Sequence, residues 1–430
     1  MNDPKSNPFF DVRMRGFPSR TEVADVLRWI DSRVGTASSE HISLSEAAGR
    51  VLAEGIVSGV NVPAFARSAM DGYALRGEET FGATPYNSIR LKIVGEALPA
   101  RPTSVRVERG DAVRIMTGAP MPDGADAVLP AEAASEEGEA VVVVDPVAPG
   151  RNVGRVGEDV SVGQRLLAVG RWLRPQDLGL LASIGLSTVR AIRRPIVAIL
   201  ITGDELLPPG SAPDDYHIVD SNSVVLSAMI RRDGGLPLPT VYVRDRDEEA
   251  SSSVQGGGNP LRNTLQNVKA DVILISGGSS VGKEDHAPRL LAELGELSIH
   301  GVALRPASPT GIGFLSGRPV FLLPGNPVSC LCAYDLFAGR AIRRLGGLNP
   351  ELPYRRVDLT LAAKIVSAVG RVDYVRVKIV SEGVEPIAIS GASMLSTTVV
   401  ADGFVLVERD SEGHAPGERI AVYLYDDVRA

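Results

Sequence analysis

The stretch Val272-Ile273-Leu274-Ile275-Ser276-Gly277-Gly278-Ser279-Ser280-Val281-Gly282-Lys283-Glu284-Asp285-His286 limits the fold of this chain more than any other. Val272 to Ile275 is apolar, mostly β-branched and free of polar alternation, which predicts a strand buried on both faces of a parallel sheet. A glycine-rich turn follows, and then a helical pattern with Pro288 in its first turn and Leu290, Leu291 and Leu294 on one face. Such a turn leaves backbone N–H groups pointing outward at a positive helix end, which is an anion site. The spacing nearly spells a P-loop, with Gly277, four residues, Gly282 and Lys283. Glu284 then stands where a P-loop has the hydroxyl that holds magnesium. Two carboxylates, Glu284 and Asp285, meet the incoming anion, and a cation between them is needed, with Mg²⁺ on oxygen ligands the natural choice. Taken alone, the turn also fits a plain glycine-rich loop with solvated acids.

At 430 residues the chain exceeds one ordinary core, and roughly two to four domains are expected. Its 23% charged and 44% hydrophobic content fits a folded protein rather than a disordered one. The net charge of −7 argues against a nucleic-acid partner. An anionic ligand must therefore be drawn in by local donors and metal, against the overall field. The two cysteines, Cys330 and Cys332, make neither a zinc site nor a disulfide framework and read as small buried residues in a reducing compartment. Met1 to Arg20 lacks the apolar core of a signal peptide. No apolar run reaches the ~18 residues of a membrane span. A cytoplasmic protein without a membrane partner is expected.

Taken in order, Ser19 to Val34 reads as an amphipathic helix with Ser19 and Glu22 as a capping box. Ser43 and Glu46 repeat that signature before a short helix ended by Gly49. Both helices read as packing surfaces, with a second copy of the chain as one candidate partner. From Ser58 short β segments follow, at Ile89–Val94, Val105–Val107, Val113–Met116, Ala127–Leu129 and Val141–Val144, as in a small barrel or sandwich. Their loops include Asp71-Gly72, Thr117-Gly118 and Gly157-Glu158-Asp159, and Gln176 to Ile184 is a short helix. From Arg194 to Arg344 strands alternate with helices, the pattern of a doubly wound α/β domain. The helix after Asp220-Ser221-Asn222 is expected to turn Val224, Val225, Ala228 and Met229 inward. Asp204, Glu205, Asp245, Glu284, Asp285 and Asn326 all fall at strand ends, where such sheets collect ligands. Leu345 to Pro350 reads as a linker. Tyr354 to Ala430 alternates in period two and predicts a small β domain, in which Arg371 and Arg376 are the cations that could face a neighbouring site, with solvated surface the default for each.

The fold class is therefore multidomain α/β: a doubly wound α/β domain, a β-rich inserted domain and a C-terminal β domain, in an elongated chain. The expected divisions are a discontinuous N-terminal domain at 1–57 and 158–192, the insert at 58–157, the α/β domain at 193–346 and the β domain at 347–430.

With these loops in view, the chain resembles the molybdopterin molybdenumtransferase family, the enzymes related to the E domain of gephyrin. The motifs that carry the resemblance are Ser68-Ala69-Met70-Asp71-Gly72-Tyr73-Ala74, Met116-Thr117-Gly118-Ala119, Gly157-Glu158-Asp159, Thr202-Gly203-Asp204-Glu205, Asp220-Ser221-Asn222, the turn from Ser276 to Asp285, and Leu323-Pro324-Gly325-Asn326-Pro327-Val328-Ser329. They stand in the family's order from about Pro18 to Leu424. The resemblance implies an elongated four-domain homodimer that inserts molybdate into the dithiolene of adenylylated molybdopterin, with Mg²⁺-dependent release of AMP. It implies an active site between the α/β domain of one subunit and the inserted domain of the other.

Carried over by position, Glu205 and Asp285 match the family's essential acids near phosphate and metal, and Asp245 matches another acid of that rim. Asp71, Thr117 and Asp159 match the loops of the inserted domain. Gly203, Asp220, Ser221, Gly277, Gly278, Ser279, Gly282, Pro324, Asn326 and Pro327 fall in the substrate-contacting motifs. Arg305, Ser308, Ser329 and Arg376 fall at the oxyanion, and Thr397 near a hydroxyl in the same place. The chain departs from the family at Arg305-Pro306-Ala307-Ser308-Pro309, where Lys-Pro-Gly-Lys-Pro is usual. Arg305 keeps the first cation as a planar fork, whereas Ser308 is neutral, so a less positive oxyanion pocket is expected, with tungstate as the alternative substrate. Two other readings are a gephyrin-like binding scaffold and a molybdopterin adenylyltransferase. No Ser/His/Asp triad is suggested by the five scattered histidines.

Overall fold

The long apolar runs become the parallel centre of a mixed sheet. A computed structural model describes residues 17, 19–244, 259–277, 286–388 and 391–425. In it β1 (Ile196–Thr202), β2 (Val272–Ser276) and β3 (Arg318–Leu323) lie side by side and parallel. All of β2 is buried, as is β1 beyond Ile196. Leu236–Pro237 and Val241–Val243 extend the sheet beyond β1, and the antiparallel strands Gly311–Leu315 and Glu296–His300 extend it beyond β3, for seven strands in all.

Three helices, α1 (Val23–Arg33), α2 (Asn222–Arg232) and α3 (Pro327–Ala333), cover one face, where Val26, Ile30, Leu226 and Val328 share a core with Ile199, Leu274 and Phe321. Pro260–Asn267 and Ala287–Leu294 cover the other, packing Leu261, Leu265, Leu290 and Leu291 on Leu200, Ile273 and Ile275. Each such side chain contributes about 1.5–3 kcal/mol on leaving water.

Contact density divides the chain into two units, residues 1–40, 49–51 and 192–430 in one, and residues 41–48 and 52–191 in the other. The first helix belongs to the α/β unit. Its inward residues Val26 and Ile30 join that unit's core. The helix also starts later than the capping box predicts. Glu22 is its N-cap, with no side-chain capping bond. Thr21 explains the delay: its N–H donates to the Gly301 carbonyl (3.0 Å) and its carbonyl accepts from Ala303 N–H (2.9 Å), which holds the chain extended. In α2 the inward residues are Leu226, Met229 and Ile230, while Val224 is 55% exposed, because the helix begins at Asn222 and its phase follows from there.

The C-terminal sheet belongs to the same unit. Val372–Val380 runs through it, with Gly403–Val407, Arg419–Leu424 and Arg355–Thr360 following on one side and Gly383–Ala388 paired to it as well. Leu304–Arg305, a piece of the α/β segment, joins this sheet in parallel, setting Leu304 opposite Val372 and Arg305 opposite Asp373.

The other unit holds a six-stranded sheet in the order Ala127–Pro130, Gly72–Leu75, Asp111–Ile115, Ile89–Ala97, Ala140–Val143, Ala134–Glu137. Apolar clusters form on both faces. Val105–Val107 is not a strand; Val107 N–H bonds the Asp123 carbonyl in a loop (2.8 Å). The short helix expected after Ser43 is a three-residue 3-10 turn, Leu44–Glu46, with the Ser43 hydroxyl spent on the Glu46 carboxylate (3.2 Å).

Candidate anion and substrate pocket

The parallel strands end together, and their turns knit a rim. Gly277 has φ +92°, and a Cβ there would lie 2.2 Å from the Thr202 carbonyl oxygen, so only glycine fits where β1 and β2 finish. Its N–H reaches the Leu323 carbonyl at the end of β3 (3.2 Å). Asn222 ties the same ends from α2: its side-chain amide donates to Ser276 Oγ (2.9 Å) and to the Gly325 carbonyl (2.7 Å). Asp220 accepts from Asn222 N–H (2.8 Å), Ser223 N–H (3.2 Å) and the Tyr242 hydroxyl (2.9 Å), so its buried carboxylate fixes the start of α2, where Ser221 is the N-cap. Beneath the rim, Cys330 Sγ lies 3.7 Å from Ser276 Oγ, and burial pushes its thiol up to about 12, which leaves it protonated and unreactive.

Past β1, Glu205 is exposed and folded back over Gly203, whose Cβ, if present, would meet that carboxylate at 2.7 Å. Asp245, Gly278, Ser279, Gly282 and Asp285 lie outside the described residues. Among the described residues no three His, Cys, Asp or Glu side chains gather as a metal site.

Beside the rim opens a cavity of about 530 Å³ lined by Arg305, Ser308, Pro324, Asn326, Ser329 and Arg376, six of the residues predicted from sequence. Among the described residues Arg20 and Arg371 complete a set of four lining arginines, and the lining contains no carboxylate. Asp373, 1% exposed, holds Arg305 through an ion pair, Arg371 at 3.2 Å and the Ser367 hydroxyl at 2.7 Å. Asp373 therefore offsets only part of the charge of Arg305 and Arg371, and an oxyanion or phosphate can compensate the rest. Arg376, a solvated strand arginine by default and an oxyanion residue by resemblance, is 1% exposed and lines this pocket from the C-terminal sheet. Ser308 is neutral, but the expected weakening of the pocket's charge is countered by Arg20, whose Nε donates to Ser308 Oγ (2.8 Å).

Two predicted positions have other duties. Pro327 is the first residue of α3, where its fixed φ suits a helix start. Thr397 gives its hydroxyl to the Met394 carbonyl (2.6 Å) and is outside the lining, although Gly391 and Ala392 of the same segment are in it. Three residues that sequence reasoning left out of the site are structurally central to it: Arg20, Arg371 and Asn222. The Asp220-Ser221-Asn222 motif was the available signal for Asn222.

Asp71, Thr117 and Asp159 lie in the other unit. Asp71 accepts from the Thr117 N–H (2.7 Å) and hydroxyl (2.8 Å), which hold its carboxyl below the usual range. Asp159 is exposed, its backbone N–H on the Val62 carbonyl (3.1 Å). Phe65, Met70 and Met116 are exposed on neighbouring loops.

Comparison with known proteins agrees with this geometry. Residues 21–185 match the MoeA N-terminal region (domain I and II), residues 198–344 match a probable molybdopterin binding domain, and residues 358–425 match the MoeA C-terminal region (domain IV). A molybdopterin biosynthesis protein of Methanocaldococcus jannaschii is 33% identical over 90% of this chain and 92% of its own length. Molybdopterin molybdenumtransferase 2 of Mycobacterium tuberculosis is 34% identical over 74% of this chain and 78% of its own. The crystal structure of a molybdopterin biosynthesis MoeA protein from Pyrococcus horikoshii superposes with a TM-score of 0.79 at 31% identity, covering 95% of this chain and all of that one. With likeness in sequence and fold over most of its length, the chain belongs to the MoeA family of molybdopterin biosynthesis proteins.

Proposed function

We propose that the chain is a molybdopterin molybdenumtransferase that takes adenylylated molybdopterin and molybdate and releases AMP as the metal enters the dithiolene. The observation that carries this reading is the pocket lined, among the described residues, by four arginines and no acid, set against a glycine-built rim at the ends of β1, β2 and β3. Arg305 and Arg376 concentrate and orient the oxyanion, and fixing it beside the reacting sulfurs replaces an encounter in solution by a local one. Asn326 and Ser329 add neutral donors on the same wall. Asn222 and Gly277 keep the rim's backbone in place while substrate phosphates settle on it.

Among the described residues Glu205 offers carboxylate oxygens past the end of β1, the donor type that suits a hard divalent cation retaining water and sharing substrate phosphates. Glu205, with Asp285, would hold Mg²⁺, which when bound supplies charge compensation at the pyrophosphate. Asp71, Thr117 and Asp159 serve the pocket of a second subunit in a homodimer, and the working compartment is the cytoplasm. No helix among the described residues is long and apolar enough to cross a membrane. Molybdate is the proposed oxyanion, with tungstate the comparison.

The test is AMP release by the full chain from adenylylated molybdopterin with Mg²⁺ and molybdate. Glu205→Gln is expected to lower that release about a hundredfold, with melting unchanged because the residue is exposed. Unchanged turnover would refute the metal assignment. AMP incorporation from ATP into molybdopterin, without release from the adenylylated form, would favour the adenylyltransferase reading instead.

A further inference from the structure

Arg20 reaches the pocket from far away in sequence, and its placement is built rather than incidental. The next residue, Thr21, is hydrogen-bonded on both sides to Gly301 and Ala303 (3.0 and 2.9 Å), directly before Leu304–Arg305 joins the C-terminal sheet. Phe17 packs edge-on against His300, with ring centroids 5.1 Å apart, which anchors the segment a second time. The Arg20 side chain then crosses to the Arg305–Pro309 loop and lays Nε on Ser308 Oγ (2.8 Å). A guanidinium has five N–H donors in a fixed plane, so both terminal amino groups remain for another acceptor.

The surrounding charges sharpen the point. Arg28 pairs with Asp25, Arg33 with Glu296, and Arg409 takes Glu22, two residues from Arg20. Inside the pocket Arg305 and Arg371 share Asp373. Among the described residues no carboxylate pairs with Arg20. A guanidinium steered by a hydroxyl into a cavity lined by cations raises the local potential unless an anion arrives.

We propose that Arg20 is a substrate-binding residue of this pocket, positioned by Ser308, that receives a tetrahedral anionic group. The group is either the free oxyanion or the phosphate of the nucleotide half of the substrate. This rests on reading the pocket as an oxyanion site.

Isothermal titration of the full chain with molybdate, and separately with AMP, tests it. Arg20→Gln is expected to weaken one of the two about ten- to a hundredfold, the cost of losing charge-assisted hydrogen bonds, and the ligand affected identifies the group. Arg20→Lys is expected to keep part of the affinity, since it retains charge without the fork. Ser308→Lys added to Arg20→Gln is expected to restore it, a rescue that a merely structural role would not give. Arg305→Gln serves as the control. Weaker binding in Arg305→Gln with both ligands unaffected by Arg20→Gln would overturn the Arg20 assignment and leave the pocket reading standing. If neither variant altered binding, the pocket reading and the assignment would both fall.

Discussion

Two clusters in the α/β unit are built from the same parts and differ in what they leave open. At the pocket, Asp373 gathers Arg305 and Arg371, and among the described residues the cavity lining adds Arg20 and Arg376 and no carboxylate. Deeper in the unit, Asp233 and Asp335, both fully buried in their side chains, meet Arg232 and Arg343. Arg232 bonds both acids (3.0 Å each), and the Tyr354 and Tyr374 hydroxyls close over Asp335 at 2.9 and 3.2 Å. In the second cluster acids and cations balance and aromatic rings seal it, with Tyr374 stacked on Phe404 at 4.0 Å. In the first, two arginines share one acid and line a cavity. A balanced, sealed cluster is a structural joint, whereas an unbalanced one that opens on a cavity is equipped for a ligand.

Removing Asp335 probes the sealed cluster. Asp335→Ala leaves Arg232 short of an acid and two tyrosine hydroxyls without their acceptor, and should cost about 3–5 kcal/mol in denaturant unfolding. A loss below about 1 kcal/mol would show that the balanced cluster is no joint. Arg305→Gln probes the open cluster and should behave the other way. Unfolding should move by about 1 kcal/mol, while AMP release falls about ten- to a hundredfold at low molybdate and recovers in part at high molybdate. Loss of stability equal to that of Asp335→Ala, with turnover intact, would erase the distinction.

The smallest effect belongs to a surface cluster in the other unit, where Arg114 and the Tyr73 hydroxyl hold the Glu136 carboxyl down to about 2. A depressed carboxylate adds stability above its ordinary value near 4.5 and gives it up as pH falls toward 2. The difference in stability between the wild type and Glu136→Gln should therefore shrink over that interval and be flat above it. A difference independent of pH would show that the cluster carries no linked charge.

Much of the fold is legible in the sequence because it rests on local patterns. The apolar runs of β1, β2 and β3 announce buried strands, and Gly277 marks a place where two strand ends come too close for a side chain. The loops that gather at the rim follow from the rule that open α/β sheets bind at their carboxyl ends. What escaped is non-local. The Thr21 bridges, which delay α1 and aim Arg20, depend on residues about 280 positions away. The two-residue strand Leu304–Arg305 has no periodicity to announce it, yet it sets Arg305 opposite Asp373. Arg376 reads as a surface residue from its strand alternation and becomes buried only because the two sheets share one pocket. Ser308 reads as a lost charge until the distant arginine bound to it is seen.

The most direct test of the central claim is the dependence of AMP release on molybdate, measured with the full chain, adenylylated molybdopterin and Mg²⁺. The account predicts slow release without molybdate and a saturable rise as it is added, with the half-saturating concentration shifted upward in Arg305→Gln. Release at the same rate with and without molybdate, or no release at any concentration, would contradict it.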